Sequence, residues 1–147
     1  MKILRILSIG FLAGLFLFTG LDKAFHYSGF VKALDGYVLV PRGLGPHLAL
    51  PLIACELWVG VSLLVRPWRP AAAAAATLLL TLFTIAFTVN QHYAPGAECG
   101  CWFTITVARA TSFHIVQDLI LLGLAATLWL EERRAAALAG EVPRSLP

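Results

Sequence analysis

The chain has 147 residues, 59% of them hydrophobic and only 13% charged, with a mean hydropathy of +0.82. A soluble domain carries about a quarter charged residues, so lipid rather than water solvates much of this surface. The formal net charge of +3 is too small to suggest the clustered basic face that nucleic acid binding needs.

Four apolar stretches occur, at about residues 3–19, 47–65, 71–89 and 112–130. Each approaches the ~20 residues that cross a hydrocarbon core as a helix. Backbone groups in lipid must be satisfied internally, and no period-2 alternation supports strands. The predicted fold is therefore all-α: one polytopic four-helix membrane domain with outer loops at 20–46 and 90–111 and a tail at 131–147.

The first stretch follows Lys2 and Arg5, a pattern shared with signal peptides. No clean small-x-small cleavage site surrounds Thr19–Lys23, and Gly10 and Gly14 form a GxxxG spacing suited to close helix packing. The preferred reading is a retained transmembrane helix. In the loop that follows, Phe25, Tyr27, Phe30, Val31 and Leu34 alternate with Asp22, Lys23, His26 and Lys32. This mixture predicts a short amphipathic helix at the interface, covering the outer end of the bundle.

The second stretch carries Cys55 and Glu56. Counted from His47 at ~1.5 Å per residue, Glu56 lies roughly 13 Å below the outer surface. An ionisable group at that depth is by default functional, and Lys23 or a nearby hydroxyl would partner it. The blander reading is a hydrogen bond that fixes helix packing. Cys55 alone reads as a small buried hydrophobe unless it reaches the other thiols.

The third stretch opens with Ala71–Ala76, which reads as a close-packing face. Thr77, Thr81, Thr84 and Thr88 share one face of it. Their hydroxyls fit core packing better than a polar seam along a quinone-sized cleft.

The loop at 90–111 holds Cys99-Gly100-Cys101. A disulfide two positions apart closes a very small ring, and strained, exposed disulfides are the exchangeable ones. Gly100 permits backbone angles that other residues resist. A metal site is the alternative, with Cys99, Cys101 and Cys55 as thiol donors and His92, Glu98 or a partner completing it. Two thiolates alone are too few for closed tetrahedral zinc. An incidental or structural role is the third reading.

In the fourth stretch Thr111, His114 and Asp118 share one face. A His–Asp pair leading inward from a thiol site would tune a thiolate or relay protons; a hydrogen-bonded polar cap is the plainer reading. Lys2, Arg5, Arg66, Arg69, Arg133, Arg134 and Arg144 fall on one side, against Lys23, Lys32, Arg42 and Arg109 on the other. The bias predicts cytoplasmic termini and an outward cysteine loop in the cytoplasmic (inner) membrane, a compartment that oxidises thiols.

These motifs together resemble the MauE/DoxX-like family of four-helix integral membrane proteins, with the methylamine-utilisation MauE branch most similar. The resemblance rests on Gly20 and Lys23 in Gly-Leu-Asp-Lys-Ala-Phe, and on Glu56 and Gly60 in Ala-Cys-Glu-Leu-Trp-Val-Gly. It rests most specifically on Cys-Gly-Cys-Trp at Cys99–Trp102, similar to the family's Cys-x-Cys-Phe-Gly. Trp102-Phe103 and Gln117-Asp118 depart from the family pattern. The resemblance implies a membrane partner of periplasmic thioredoxin-like proteins that helps a disulfide-rich client mature; the DoxX-like relatives imply a link to quinone.

The residues and the resemblance together predict a thiol–disulfide oxidoreductase. Cys99 and Cys101 would attack and resolve. His114 and Asp118 would tune the thiolate, and Glu56 would handle a proton or hold the core. Cys55, Lys23 and Trp102 would play supporting roles. The partner would be an extracytoplasmic thioredoxin-like protein or disulfide-containing client. No cofactor is assigned firmly, and a membrane quinone is the candidate electron acceptor. A soft-metal handler and a noncatalytic membrane anchor are the rival readings.

Overall fold

The structure, a computed structural model, describes residues 2–93 and 112–140. Within them the chain is helical: α1 (Lys2–Phe25), α2 (Tyr27–Asp35), α3 (Gly45–Leu64), α4 (Arg69–Tyr93) and α5 (Ser112–Gly140), with a single 3₁₀ turn at Arg66–Trp68 between α3 and α4. Three spans among the described residues are long and apolar enough to cross a membrane: Arg5–Phe25, Gly45–Leu64 and Arg66–Tyr93. The protein is an all-α, multi-pass membrane protein.

α1 packs on α3, α3 on α4 and α4 on α5, while α5 touches α1 and closes the bundle. The core runs through Leu12, Phe16, Val59, Leu63, Ala73, Leu80, Leu121 and Leu128. Large apolar residues such as Ile6, Phe11, Phe18, Leu78, Leu82 and Ile120 point outward instead. Such a surface is stable only against lipid. The alanine run behaves as its composition suggests: Ala72, Ala73 and Ala76 are fully buried.

Two features differ from the sequence reading. Residues 20–25, placed in the outer loop, continue α1 to Phe25. Lys23 does not interrupt the helix because it is buried against a partner on α3. The second difference concerns glycine. A Cβ added at Gly10 or Gly14 would meet nothing within 4 Å, so that spacing makes no close helix contact among the described residues. The close approach is between α1 and α3 instead. A Cβ at Gly60 would lie 2.7 Å from Leu17 Cγ and 3.0 Å from the Leu17 backbone nitrogen, and one at Gly20 would lie 2.9 Å from Leu57 Cδ2. Positions 20 and 17 on α1 thus face 57 and 60 on α3 in antiparallel register.

α2 caps one end of this bundle, seating Phe30 and Leu34 against Ala49 and Ile53 of α3. The return from α2 to α3 is pinned by side chains. Asp35 Oδ1 accepts from the Gly43 and Gly45 backbone nitrogens at 3.2 and 2.9 Å. Tyr27 donates its hydroxyl to Pro46 O at 3.2 Å. Asn90, buried near the end of α4, accepts from the Val38 backbone nitrogen at 3.1 Å through Oδ1. The 3₁₀ turn at the other end is closed by Arg69, whose Nε donates to Leu63 O at 2.9 Å.

Candidate functional site

The antiparallel register of α1 and α3 builds the site. Gly60 lies one turn after Glu56, and Gly20 three residues before Lys23. The two glycines let the helix backbones approach, and the approach brings Lys23 to Glu56. Lys23 Nζ donates to Glu56 Oε1 at 2.5 Å, with both side chains almost completely buried. Of the two partners anticipated for Glu56, the lysine makes the close ion pair, and the Thr19 hydroxyl stands beside the same carboxylate. Lys23 therefore is not a free loop cation contributing to the charge bias.

The ammonium is further held between two aromatic faces. Its Nζ lies 5.4 Å from the Phe30 ring centroid on α2 and 5.3 Å from that of Phe83 on α4. Each such contact contributes about 0.5–2 kcal/mol, the upper end when water is excluded. Three helices and the capping helix thus converge on one charge.

Glu56 offers a second oxygen. Its Oε2 is buried and has no hydrogen-bond partner among the described residues. It borders a cavity of about 30 Å³ lined by Thr19, Lys23, Glu56, Phe83 and Asp118, with Phe16, Leu80 and Leu121 supplying apolar wall. Space of that size holds a water or two, since ~10–15 Å³ suffices for one. Asp118 is itself buried at 5% exposure. Sequence spacing tied Asp118 to His114; the fold ties it to Lys23 and Glu56.

A larger pocket of about 350 Å³ shares Lys23 and Phe83 with the small cavity. It is lined by Phe30, Leu34, Tyr37, Leu48, Leu52 and Phe83, among others, with Lys23 the charged residue on its wall. Nearly all of its lining is hydrocarbon and aromatic, as in pockets for apolar ligands. Lys23 borders both cavities.

Other anticipated residues fall elsewhere. Cys55 is a free, half-buried cysteine packed against the apolar core, as a small hydrophobe would be. Thr77, Thr81, Thr84 and Thr88 each donate to the carbonyl four residues earlier, at 2.7–2.8 Å. They satisfy their own helix and do not line the apolar pocket, whose α4 wall is Leu82, Phe83, Ile85 and Ala86. Cys99, Cys101 and Trp102 lie outside the described residues. His114 lies in the first turn of α5, with its side chain outside them. Among the described residues no three His, Cys, Asp or Glu side chains cluster as a metal site.

Sequence reasoning missed Thr19, Phe30 and Phe83 as site residues. Thr19 was within reach of a helical count, since it precedes Lys23 by one turn. The two phenylalanines carried no signal separable from core packing.

Comparisons with known proteins identify the family. The family described as methylamine utilisation protein MauE matches residues 1–131. The methylamine utilization protein MauE of Paracoccus denitrificans is 30% identical over 137 residues, which cover 92% of this chain and 70% of that protein. No solved structure matches.

Proposed function

The chain belongs to the MauE family, and from that premise we propose that it is a thiol–disulfide redox protein of the cytoplasmic membrane. In this reading it serves a methylamine-utilisation system by exchanging disulfides with an extracytoplasmic thioredoxin-like protein or a disulfide-containing client. Cys99 and Cys101 are the reacting pair. A thiolate of one partner attacks the other's disulfide, a mixed disulfide forms, and the second thiol resolves it. Two electrons pass and the sulfur count is conserved.

The observation that carries the proposal is the buried Lys23–Glu56 pair between α1 and α3, flanked by rings of α2 and α4 and bordering a cavity that Asp118 also lines. Ionisable groups so deep in membrane helices are costly and mark functional paths. In the sequence Cys99-Gly100-Cys101 follows α4, whose Asn90 is tied to Val38 in the loop after the capping helix. Oxidising a dithiol releases two protons, and in this reading Glu56 and Asp118 are the carboxyl groups that accept and pass them. α5 completes the bundle as a fourth membrane crossing, with both termini in the cytoplasm.

The apolar pocket beside Phe30 and Phe83 suits the body of a membrane quinone, with Lys23 as the charged donor on its wall. A bound quinone would supply a two-electron acceptor for the thiol pair.

Labelling in intact cells tests the reading. A membrane-impermeant thiol reagent should modify Cys99 or Cys101 only after mild reduction, because the pair rests oxidised and faces outward. Labelling that requires cell lysis would place the loop in the cytoplasm and remove the oxidising compartment on which the proposal depends.

A further inference from the structure

At the end of the bundle opposite α2 lies a cavity of about 300 Å³ with different chemistry. Arg5, Arg66 and Arg69 line it, together with Ile6 and Ile9. Arg5 comes from the first turns of α1, whereas Arg66 and Arg69 come from the turn between α3 and α4. The antiparallel packing of α1 on α3 is what brings them together.

The guanidinium groups are only partly used. Arg5 sends Nε and Nη2 to the same Glu132 oxygen, at 3.1 and 2.5 Å. Arg69 uses Nε on the Leu63 carbonyl, and among the described residues its terminal nitrogens have no acceptor. Arg66 is exposed and makes no hydrogen bond or ion pair among the described residues. Three positive charges thus face one carboxylate, leaving a formal excess of two.

We propose that this cavity binds the phosphate headgroup of an anionic phospholipid. Guanidinium groups present planar donor pairs that match phosphate oxygens. The position suits a lipid: the membrane spans begin at Arg5 and Arg66 and end at Leu64, so the arginines stand at the level of the headgroups. Trp68, half-exposed in the same turn, is the amphipathic residue type that settles at that level. The apolar side of the cavity favours lipid over a free anion. Ile6 lines it yet is 67% exposed on the outer face of α1, continuous with exposed Ile3. An acyl chain leaving the headgroup would run along that face. Basic pockets between membrane helices hold anionic headgroups in this way. The site is independent of the thiol chemistry and stands whether or not that reading holds.

The test uses the full-length protein, purified in detergent and delipidated. Native mass spectrometry and a fluorescent-lipid titration compare phosphatidylglycerol with phosphatidylcholine, and inorganic phosphate is added as a competitor. Phosphatidylglycerol should bind in preference to phosphatidylcholine. Arg66→Gln should weaken it about fivefold, the share of one basic residue near anionic lipid. Arg5→Gln should weaken it as well. Arg42→Gln, an exposed arginine in the loop between α2 and α3, should leave binding unchanged. Melting temperature confirms that each variant is folded, and Arg66→Gln, being exposed, keeps the comparison usable if Arg5→Gln unfolds. Equal binding of the two lipids, or an Arg66→Gln variant indistinguishable from wild type, would overturn the proposal. Full displacement of the lipid by millimolar phosphate would overturn it in favour of a free-anion site.

Discussion

Among the described residues, two carboxylate–cation pairs share a 2.5 Å separation but differ in how far the cation is enclosed. Lys23–Glu56 lies within the bundle, with side chains 4% and 2% exposed; Arg5–Glu132 lies at one end, with Glu132 7% exposed but Arg5 36% exposed. The rim pair joins the start of α1 to the end of α5 and keeps donors to spare for a further anion. The central pair has no solvent to fall back on. Its ammonium lies against the Phe30 and Phe83 rings, and Glu56 lines a small cavity. Identical geometry therefore says little about purpose. The surroundings decide whether losing one partner is tolerated or leaves a stranded charge.

That difference can be broken most forcefully at Glu56. Glu56→Leu strands the Lys23 ammonium in the core and should cost about 3–5 kcal/mol, read as a large fall in melting temperature and expression. The paired replacement Lys23→Leu with Glu56→Leu removes both charges and should recover most of that loss, since apolar substitutes for a buried pair are often neutral or stabilising. Recovered folding with lost turnover would separate a functional pair from a packing device. A single Glu56→Leu variant with normal stability and activity would refute both roles.

The next effect concerns the contact that creates the central pair. Gly60→Ala forces a Cβ against Leu17, including its backbone nitrogen at 3.0 Å, and should cost about 1–3 kcal/mol as overpacking does. Gly14→Ala, where a Cβ meets nothing within 4 Å, should be neutral or stabilising by up to ~1 kcal/mol through helix propensity. Thermal unfolding of the two variants side by side checks this. The reverse order would mean that α1 packs through its Gly10–Gly14 face.

The smallest effect should be at the rim. Glu132→Gln should cost less than Glu56→Leu, because Arg5 keeps access to solvent when buried Glu132 loses its charge, and the cost should shrink as salt is raised. Stability curves at low and high ionic strength give the answer, and a salt-independent loss as large as that at Glu56 would erase the distinction.

The apolar runs made the membrane helices legible, because lipid imposes a length and a composition that few other settings share. The buried alanine face and the capping role of residues near Phe30 and Leu34 were legible for related reasons: small residues permit close contact, and an amphipathic segment after a membrane span must cover something. Lys23 was harder. A lysine just past an apolar run reads as an interfacial charge, and only the register between α1 and α3 shows that it turns inward to Glu56. The glycines misled in the same manner. Gly10 and Gly14 have the recognised spacing within one helix, whereas Gly20 and Gly60 act as a pair across two helices, which no pattern within a single segment reveals. Phe30 and Phe83 were hidden because aromatic core residues and aromatic walls around a cation share one sequence signature. The thiol motif itself was read from sequence and family, and Cys99 and Cys101 lie outside the described residues.

The central claim is that Cys99 and Cys101 exchange disulfides with a partner, and mixed-disulfide trapping tests it most directly. Cys99→Ser and Cys101→Ser are expressed separately, thiols are quenched with acid, and membranes are run on nonreducing gels. The account predicts a dithiothreitol-sensitive adduct in the variant that keeps the attacking thiol and lacks the resolving one, little in wild type, and none in the double variant. If neither single variant captures a partner and both retain activity, the disulfide-exchange account is contradicted.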